Sequence, residues 1–323
     1  MFQFGFARLW FLLLILLFVP FLFVVLNPAP FRQKSWQVVT REPGERHLGA
    51  PRPISTEAFR DLEFAWLSES AYQKTPAAAT DTKFGECPDP GVSLRKAGWT
   101  LWTQFPDAEL REKISQSHLR VEVWENTSRP AVVVAFGGTV FNNRGDWKSN
   151  LRWFIPKHND EYTAVIQDLV SPFLDAFLKR LRDPDGRLLA HATLYATGHS
   201  LGGGLAQEFA YSLPINSSVP RVTQVFAFDP SPVTGFYSVD AATRDANVQT
   251  LAIDRIYERG EILALARSLT SFIVPPSANA PVIRQVRYNL FARFMPITGH
   301  SMTELACKLN DAVQKSSSAS TSR

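Results

Sequence analysis

One serine of this chain stands on a turn of the kind that exposes a hydroxyl group for nucleophilic attack. Ser200 lies in the motif Gly198-His199-Ser200-Leu201-Gly202, between an apolar run and a helix-forming run. On a sharp strand-to-helix turn, the serine hydroxyl is pushed out above the sheet, where it can attack a carbonyl carbon. Glycine fits at both ends of the motif, because a side chain there would collide with the backbone that doubles back. We therefore predict that Ser200 is a catalytic nucleophile; the alternative is a glycine-rich turn that contains a serine by chance.

A serine hydroxyl needs a base to accept its proton and an acid to orient that base. His199 adjoins the serine, but neighbouring side chains at the end of a strand point to opposite faces. Hydrolases with this turn order their triad as serine, acid and histidine along the chain. His300 lies downstream of Ser200 with room for an acid between them, so we predict that it is the base. The alternative is a surface histidine that caps a helix.

The acid of the triad should follow a strand, at the carboxyl edge of the sheet where such a site lies. Glu261 and Glu258 follow one predicted strand, and Asp229 ends the preceding one, whereas Glu208 and Asp254 fall inside predicted elements. We predict that Glu261 is the acid and keep Asp229 as the alternative.

Backbone N–H groups must also stabilise the oxyanion that forms during acyl transfer. The amide of Leu201, directly after the serine, is one predicted donor. The second is predicted to be Thr139, because Gly137 and Gly138 precede it at the end of an apolar run and allow the backbone to approach a substrate closely. An ordinary turn between a strand and a loop is the alternative.

Strand-like and helix-like patterns alternate along the chain. Predicted helices cover 55–67, 162–181, 203–211 and 302–313, and predicted strands cover 119–124, 131–136, 193–196, 222–228, 251–257 and 282–291. Strands that alternate with helices predict a mostly parallel central sheet flanked by helices, with right-handed crossovers.

The N-terminal segment is long and apolar enough to cross a membrane. Residues 9–26 carry no charge and, at about 1.5 Å each, span about 27 Å, close to a hydrocarbon core of about 30 Å. A secretory signal peptide has a shorter apolar core of about 7–15 residues and a small-residue cleavage site. We predict that residues 1–30 form a single-pass membrane anchor of undetermined orientation. The alternative is a secreted or periplasmic protein after cleavage.

The rest of the chain divides by composition into three parts. We predict a linker at 31–54, a hydrolase-type domain at 55–314 and a disordered Ser-rich tail at 315–323. The net charge of +4, without a basic run interleaved with aromatic residues, argues against nucleic-acid binding. The sequence contains no ligand pattern for a metal, and we predict no metal and no cofactor. The pairing of Cys87 with Cys307 stays open at this point.

Several motifs together resemble those of the class 3, fungal-type lipases of the α/β-hydrolase fold. In that family an apolar strand ends in F-R-G-T or F-R-G-S, and the nucleophile motif is G-H-S-L-G-G-x-L-A. The chain has F-G-G-T at 136–139, with glycine in place of arginine, and the full nucleophile motif at 198–206. It also has D-W-K-S-N-L at 146–151, and L-S-E-S-A-Y at 67–72 resembles the family's early helix. The family's acid, normally aspartate, falls on Glu261.

The resemblance implies a serine-dependent carboxylic ester hydrolase that acts on lipid, acylglycerol or phospholipid esters. It implies a Ser200–Glu261–His300 triad, an acyl-enzyme intermediate, an oxyanion hole at Thr139 and Leu201, and no cofactor. A membrane anchor would hold such an enzyme beside its acyl-ester lipid substrate. The alternatives are a thioesterase or acyltransferase with the same triad, and a membrane-anchored binding module whose hydrolase site has decayed.

Overall fold

The sheet of this protein has nine strands and is parallel at its centre. The computed structural model describes residues 36–72, 87–138, 161–216, 218–261, 263–291 and 298–321. In that part of the chain the strand order is β2-β1-β9-β8-β7-β6-β5-β4-β3. The strands are β1 (Gln37–Arg41), β2 (Arg52–Pro53), β3 (Thr100–Leu101), β4 (Arg120–Asn126), β5 (Ala131–Gly137), β6 (Thr193–His199), β7 (Val222–Phe228), β8 (Ala252–Glu258) and β9 (Val282–Asn289).

Helices cover both faces of this sheet. They are α1 (Ser55–Ser70), α2 (Pro90–Lys96), α3 (Ala108–Ser115), α4 (Glu161–Ala164), α5 (Val170–Arg180), α6 (Leu201–Ser212), α7 (Ala241–Val248), α8 (Ala264–Ile273) and α9 (Met302–Thr321). A π-helical segment, Val165–Leu169, joins α4 to α5, and short 3₁₀ turns cover Gly186–His191 and Thr298–His300. Helices α2, α3, α7 and α8 were not among the elements predicted from the sequence.

Pairing directions confirm the prediction of a mostly parallel central sheet. Strands β5 to β9 pair parallel to one another, and β1 to β4 join at the two sides through antiparallel pairs. All seven residues of β5 are buried, as expected for a strand covered on both faces. Its alternate side chains divide between two hydrophobic cores: Val132 and Val134 face one helical layer, and Val133 and Ala135 face the other. The result is a three-layer α/β architecture of the α/β-hydrolase type.

The prediction of a linker at 31–54 is wrong for the two segments that form strands β1 and β2. Strand β1 pairs antiparallel with β9, and Gln37 lies opposite Asn289. Val38 and Val39 are buried. The sequence pattern did not reveal this strand, because its pairing partner lies about 250 residues further along the chain.

The prediction of a disordered tail at 315–323 is also wrong, because α9 continues to Thr321. Serine hydroxyls in this stretch donate to backbone carbonyls of the preceding turn: Ser316 and Ser317 to Val313 O, at 2.8 and 3.0 Å, and Ser318 to Lys315 O. Such bonds are compatible with a continuing helix. The predicted membrane anchor at 1–30 lies outside the described residues. Within the described ranges, no helix combines the length and the apolar character that a membrane span needs.

A disulfide links the N-terminal half of the protein to its last helix. Cys87 pairs with Cys307 across 220 residues of sequence, with a Cα–Cα distance of 5.5 Å. Cys307 lies in α9, which packs on α1. The covalent link therefore fixes the helix that follows His300 to the body of the fold.

We expect the disulfide to contribute about 2–5 kcal/mol to the free energy of unfolding, because it constrains a long loop in the unfolded chain. The double variant Cys87→Ser/Cys307→Ser should lose this amount in urea unfolding followed by circular dichroism. Adding a reductant should lower the stability of the wild type and leave that of the double variant unchanged. The prediction would be contradicted if the urea midpoint of the wild type did not change when the reductant is added.

Candidate active site

The three predicted triad residues lie at one edge of the sheet. Ser200 directly follows β6, Glu261 follows β8, and His300 lies in the 3₁₀ turn that comes after β9. Because these strands run parallel, their carboxyl ends meet at the same edge, which we call the catalytic edge. The fold therefore brings together residues that are up to 100 positions apart in sequence.

The turn that carries Ser200 has an unusual backbone conformation. Ser200 has φ 56° and ψ −121°, a region that costs a non-glycine residue about 1–3 kcal/mol. Its carbonyl accepts the N–H groups of Gly203 and Ser231, at 3.1 and 2.9 Å, which hold this conformation. A Cβ on Gly198 would overlap the carbonyl oxygen of Gly202, so the sequence motif is explained by close backbone approach.

The side chains of Ser200, His300 and Glu261 form a continuous chain of contacts. Ser200 Oγ lies 3.1 Å from His300 Nε2, and His300 Nδ1 lies 2.9 Å from Glu261 Oε2. With the ring hydrogen on Nδ1 donated to the carboxylate, Nε2 is free to accept the serine proton. This arrangement can perform nucleophilic acyl transfer.

Several contacts fix the carboxylate of Glu261 in position. Its Oε2 also accepts the N–H of Leu263 at 2.8 Å, and its Oε1 forms an ion pair with Arg267 Nη1. Burial would raise the pKa of Glu261, but the guanidinium of Arg267 and the hydrogen bond from His300 hold that pKa below its usual range. Glu261 is therefore an anion when His300 needs a hydrogen-bond acceptor.

Asp229, the alternative acid, lies beside this chain of contacts. It is fully buried after β7 with a φ of 41°, and its Oδ1 accepts the N–H of Glu258 at 3.2 Å. Its Oδ2 lies 3.8 Å from His199 Nε2, and neither atom has a hydrogen-bond partner among the described residues. Burial and the charge of Glu261 raise the pKa of Asp229 well above its usual value. Glu261, and not Asp229, occupies the position next to His300 Nδ1.

Tyr72 connects the nucleophile turn to the neighbouring strand. Its hydroxyl lies 2.8 Å from His199 Nδ1 and 3.1 Å from the His199 carbonyl oxygen, and it accepts the N–H of Gly138. Burial raises the pKa of Tyr72, so the hydroxyl keeps its proton as a donor. The sequence pointed to Tyr72 only through a helix motif and gave no signal for this role, because the contact spans 127 residues.

The structure describes one of the two predicted oxyanion donors, Leu201. Leu201 is the first residue of α6, so its N–H has no acceptor within the helix and is available at the catalytic edge. The positive end of the helix dipole adds to its field. Thr139 lies outside the described residues. The described range that precedes it ends at Gly138, which packs against His199 O.

His300 and two side chains beside the triad are close enough to share a metal ion. In the described part of the chain, His199, Asp229 and His300 place one nitrogen or oxygen each within 4.8 Å of one another. Both ring nitrogens of His300 already face Ser200 and Glu261, however, so the arrangement fits proton transfer better than metal coordination.

Comparisons with known proteins agree with the motifs. The model of the Tle-like phospholipase domain matches residues 63–219. No curated protein matches the sequence significantly. Among solved structures, the lipase from Rhizopus microsporus var. chinensis is 14% identical, with a TM-score of 0.47, over 85% of this chain and 91% of that one. Lipase II from Rhizopus niveus is 13% identical, with a TM-score of 0.42, over 73% of this chain and 79% of that one. Lip2 lipase from Yarrowia lipolytica is 16% identical, with a TM-score of 0.39, over 70% of this chain and 78% of that one.

The domain match covers about half of the chain and contains the motif at Ser200. The matched range includes the predicted nucleophile and ends before the predicted acid and base. Residues 63–219 of this chain match the model of a Tle-like phospholipase domain.

Proposed function

We propose that this protein is a serine-dependent carboxylic ester hydrolase that acts on lipid esters, with Ser200, His300 and Glu261 as its triad. The observation that carries the proposal is the chain of two contacts, 3.1 and 2.9 Å long, from Ser200 Oγ through the imidazole to a buried carboxylate. In such a chain the imidazole accepts the serine proton, and the carboxylate orients the imidazole.

The reaction proceeds in two acyl-transfer steps. Ser200 Oγ forms a bond to the ester carbonyl carbon while His300 Nε2 takes the hydroxyl proton. The resulting oxyanion accepts the N–H of Leu201, and each such donor contributes about 3–4 kcal/mol to the transition state. The intermediate collapses, the alcohol leaves with the proton from His300, and an acyl-enzyme remains. Water then attacks the acyl carbon and gives its proton to His300. The bond between the acyl carbon and Ser200 Oγ breaks, His300 returns the proton to the serine oxygen, and the carboxylic acid is released.

Lipid esters are the substrate class that fits best. The matched domain is phospholipase-like, and one solved structure of similar fold is described as a triacylglycerol lipase. We therefore propose acylglycerol or phospholipid esters as substrates.

The substrate class is tested by a hydrolysis profile of the purified full chain. Fatty acid release should be measured by titration on phosphatidylcholine and phosphatidylglycerol vesicles, on triacylglycerol emulsions and on soluble acyl esters of graded chain length. Release from the lipid substrates that disappears in Ser200→Ala supports the proposal. Hydrolysis confined to acyl thioesters would favour a thioesterase instead, and transfer of acyl groups to added alcohols would favour an acyltransferase. If neither the wild type nor Ser200→Ala hydrolyses any of these substrates, a binding module would be favoured.

We also propose that the N-terminal segment holds the protein at a membrane. The described chain begins at Trp36, whose N–H donates to Asn289 O at 2.7 Å at the carboxyl end of β9. The residues that precede it therefore join the fold at the catalytic edge. About ten residues separate Trp36 from the apolar segment at 9–26, and they span at most about 36 Å. Such a tether would keep the catalytic edge near the lipid surface.

The disulfide bears on which side of the membrane the domain occupies. Disulfides such as Cys87–Cys307 form in oxidising compartments, which favours a translocated catalytic domain. The tether is tested by flotation of the full chain with vesicles and by extraction with alkaline carbonate. N-terminal sequencing of the mature protein distinguishes the alternatives, because a cleaved signal peptide would remove the apolar segment and release the domain.

A further inference from the structure

A cavity of about 410 Å³, which we call the α8 cavity, lies under the C-terminal end of α8. Its wall comes from the last turn of α8, from the segment that follows this helix, and from strands β8 and β9. Ile283, which lines the cavity, is the second residue of β9, whereas the triad lies at the carboxyl ends of the strands. The cavity is therefore separate from the catalytic edge. Its volume falls within the range of about 300–1,000 Å³ that is common for small-molecule sites.

Apolar side chains form most of the wall of the α8 cavity, with a few polar groups among them. Ile273, Val274 and Ile283 are three of the apolar residues. Arg255 and Gln285, which lie opposite each other on β8 and β9, are two of the polar ones. Sites with such a lining bind the apolar body of a ligand and orient it by a small number of polar groups.

Two arginines flank Gln285 on this face of the sheet, and neither forms an ion pair with a described residue. Arg41 in β1 and Arg255 in β8 both lie opposite Gln285. Arg41 Nη1 donates to Gln285 Oε1 at 2.8 Å, while its Nε is buried and meets no acceptor among the described residues. By contrast, Arg284, the next residue of β9, pairs with Asp254 at 3.0 Å. Arg41 and Arg255 therefore carry positive charges that no described carboxylate pairs with.

Arg255 is the cation in the wall of the α8 cavity. Its Nε and Nη2 donate to Gln207 Oε1 at 3.3 and 3.0 Å, and this acceptor is a neutral amide. Burial lowers the pKa of Arg255, but an arginine side chain stays protonated in proteins, so the charge persists at neutral pH. Because an unpaired charge is costly away from water, an anionic ligand at this position gains a strong interaction.

We propose that the α8 cavity binds a monocarboxylate with a short apolar chain, whose carboxylate is held by Arg255. Gln207 engages Nε and Nη2, which leaves both N–H groups of Nη1 for the ligand. The single guanidinium in the wall matches the single charge of a carboxylate, and the apolar side chains around Val274 match an alkyl chain. Fatty acids belong to this class. That the natural ligand is a product of this enzyme rests on the proposed function, whereas the binding itself requires no hydrolysis.

Photochemical crosslinking tests the location of the ligand. The probe is an analogue of octanoic acid with a diazirine on its chain, and the protein is full-chain Ser200→Ala in phosphatidylcholine vesicles. Trypsin releases residues 268–284 as one peptide, which carries every residue of the cavity wall except Arg255 and Gln285. This peptide should carry the label, and excess octanoate should prevent the labelling. Absence of label from residues 268–284 would overturn the inference.

Competition tests the chemistry of the ligand. Octanol has the chain without the charge, and acetate has the charge without the chain. Each should compete about tenfold or more weakly than octanoate, because a hydrogen bond to a charged group and a buried alkyl chain each contribute at least about that factor. Equal competition by octanol would overturn the role of Arg255. Equal competition by inorganic phosphate would overturn the assignment of a carboxylate with an apolar chain.

Arg255→Met, made in the Ser200→Ala protein, removes the charge and keeps most of the side-chain volume. It should lower the labelling of residues 268–284 about tenfold, and Arg255→Lys should retain part of the labelling. Arg187→Met, a change at an exposed arginine of the 3₁₀ turn Gly186–His191, is the matched control and should leave the labelling unchanged. Unchanged labelling in folded Arg255→Met would overturn the inference.

A second variant decides if Arg255→Met does not fold. Val274 is exposed and lines the α8 cavity, so Val274→Trp narrows the cavity without disturbing the core. It should also lower the labelling of residues 268–284, and labelling that persists at the level of the parent protein would overturn the inference. Failure of the hydrolase proposal appears separately, as lipid hydrolysis that survives Ser200→Ala.

Discussion

Ser200→Ala is expected to lower kcat/KM on lipid esters by about 10⁶-fold, the loss seen when a serine nucleophile of this type is removed. The cause is chemical, because alanine offers no oxygen to form the acyl-enzyme. The backbone of the turn should survive, since Ser200 is held by bonds of its N–H and carbonyl groups to Phe228, Gly203 and Ser231. Substrate binding should therefore change little, and the loss should appear in kcat.

The measurement is fatty acid release at saturating substrate, together with labelling by a fluorophosphonate probe. Wild-type protein should gain the mass of one probe on the peptide that contains Ser200, and the variant should gain none. Ser115→Ala, a change at an exposed serine at the end of α3, is the control and should keep full activity and labelling. Labelling at another serine, or activity within tenfold of the wild type, would remove Ser200 from the triad.

Glu261→Gln is expected to lower kcat by about 10³–10⁴-fold, as the loss of a triad acid does in other serine hydrolases. A glutamine amide can donate to His300 Nδ1, which would place the ring hydrogen on Nε2 and block proton transfer from Ser200. The change also removes the nearer ion-pair partner of Arg267, which keeps only Asp229 Oδ1 at 3.9 Å, and breaking a buried ion pair costs about 3–5 kcal/mol of stability.

The two effects of this variant can be separated. Glu261→Gln/Arg267→Gln also removes the guanidinium that lost its nearer partner, and it should recover part of the thermal stability while kcat stays low. Glu42→Gln, at an exposed glutamate, should alter neither quantity. Recovery of activity together with stability in the double variant would mean that the acid acts only through folding, and the assignment of Glu261 would fail.

The local features of the site were readable from the sequence. Strand β5 is a continuous apolar run, and the motif around Ser200 has glycine where the backbone approaches itself. His300 followed from the order of triad residues along the chain, and Glu261 from its position after a strand. The strand and the turn follow from periodicity and spacing within short segments, whereas His300 follows from the order of residues along the chain.

The features that the sequence did not reveal depend on contacts between distant segments. Strand β1 forms only because β9 offers it an unpaired edge. The hydroxyl of Tyr72 meets His199 across the fold, and the guanidinium of Arg267 meets both Glu261 and the carbonyl of Pro230. The sequence around a tyrosine or an arginine does not show whether its side chain will contact another residue or solvent.

The pairing of β1 with β9 has a consequence for the time at which the enzyme becomes active during its synthesis. The first strand of the sheet must wait for a partner that is translated about 250 residues later, which at 5–20 residues per second takes roughly 12–50 s. His300 follows that partner and emerges later still. The nascent chain therefore carries Ser200 without its base until His300 has been synthesised.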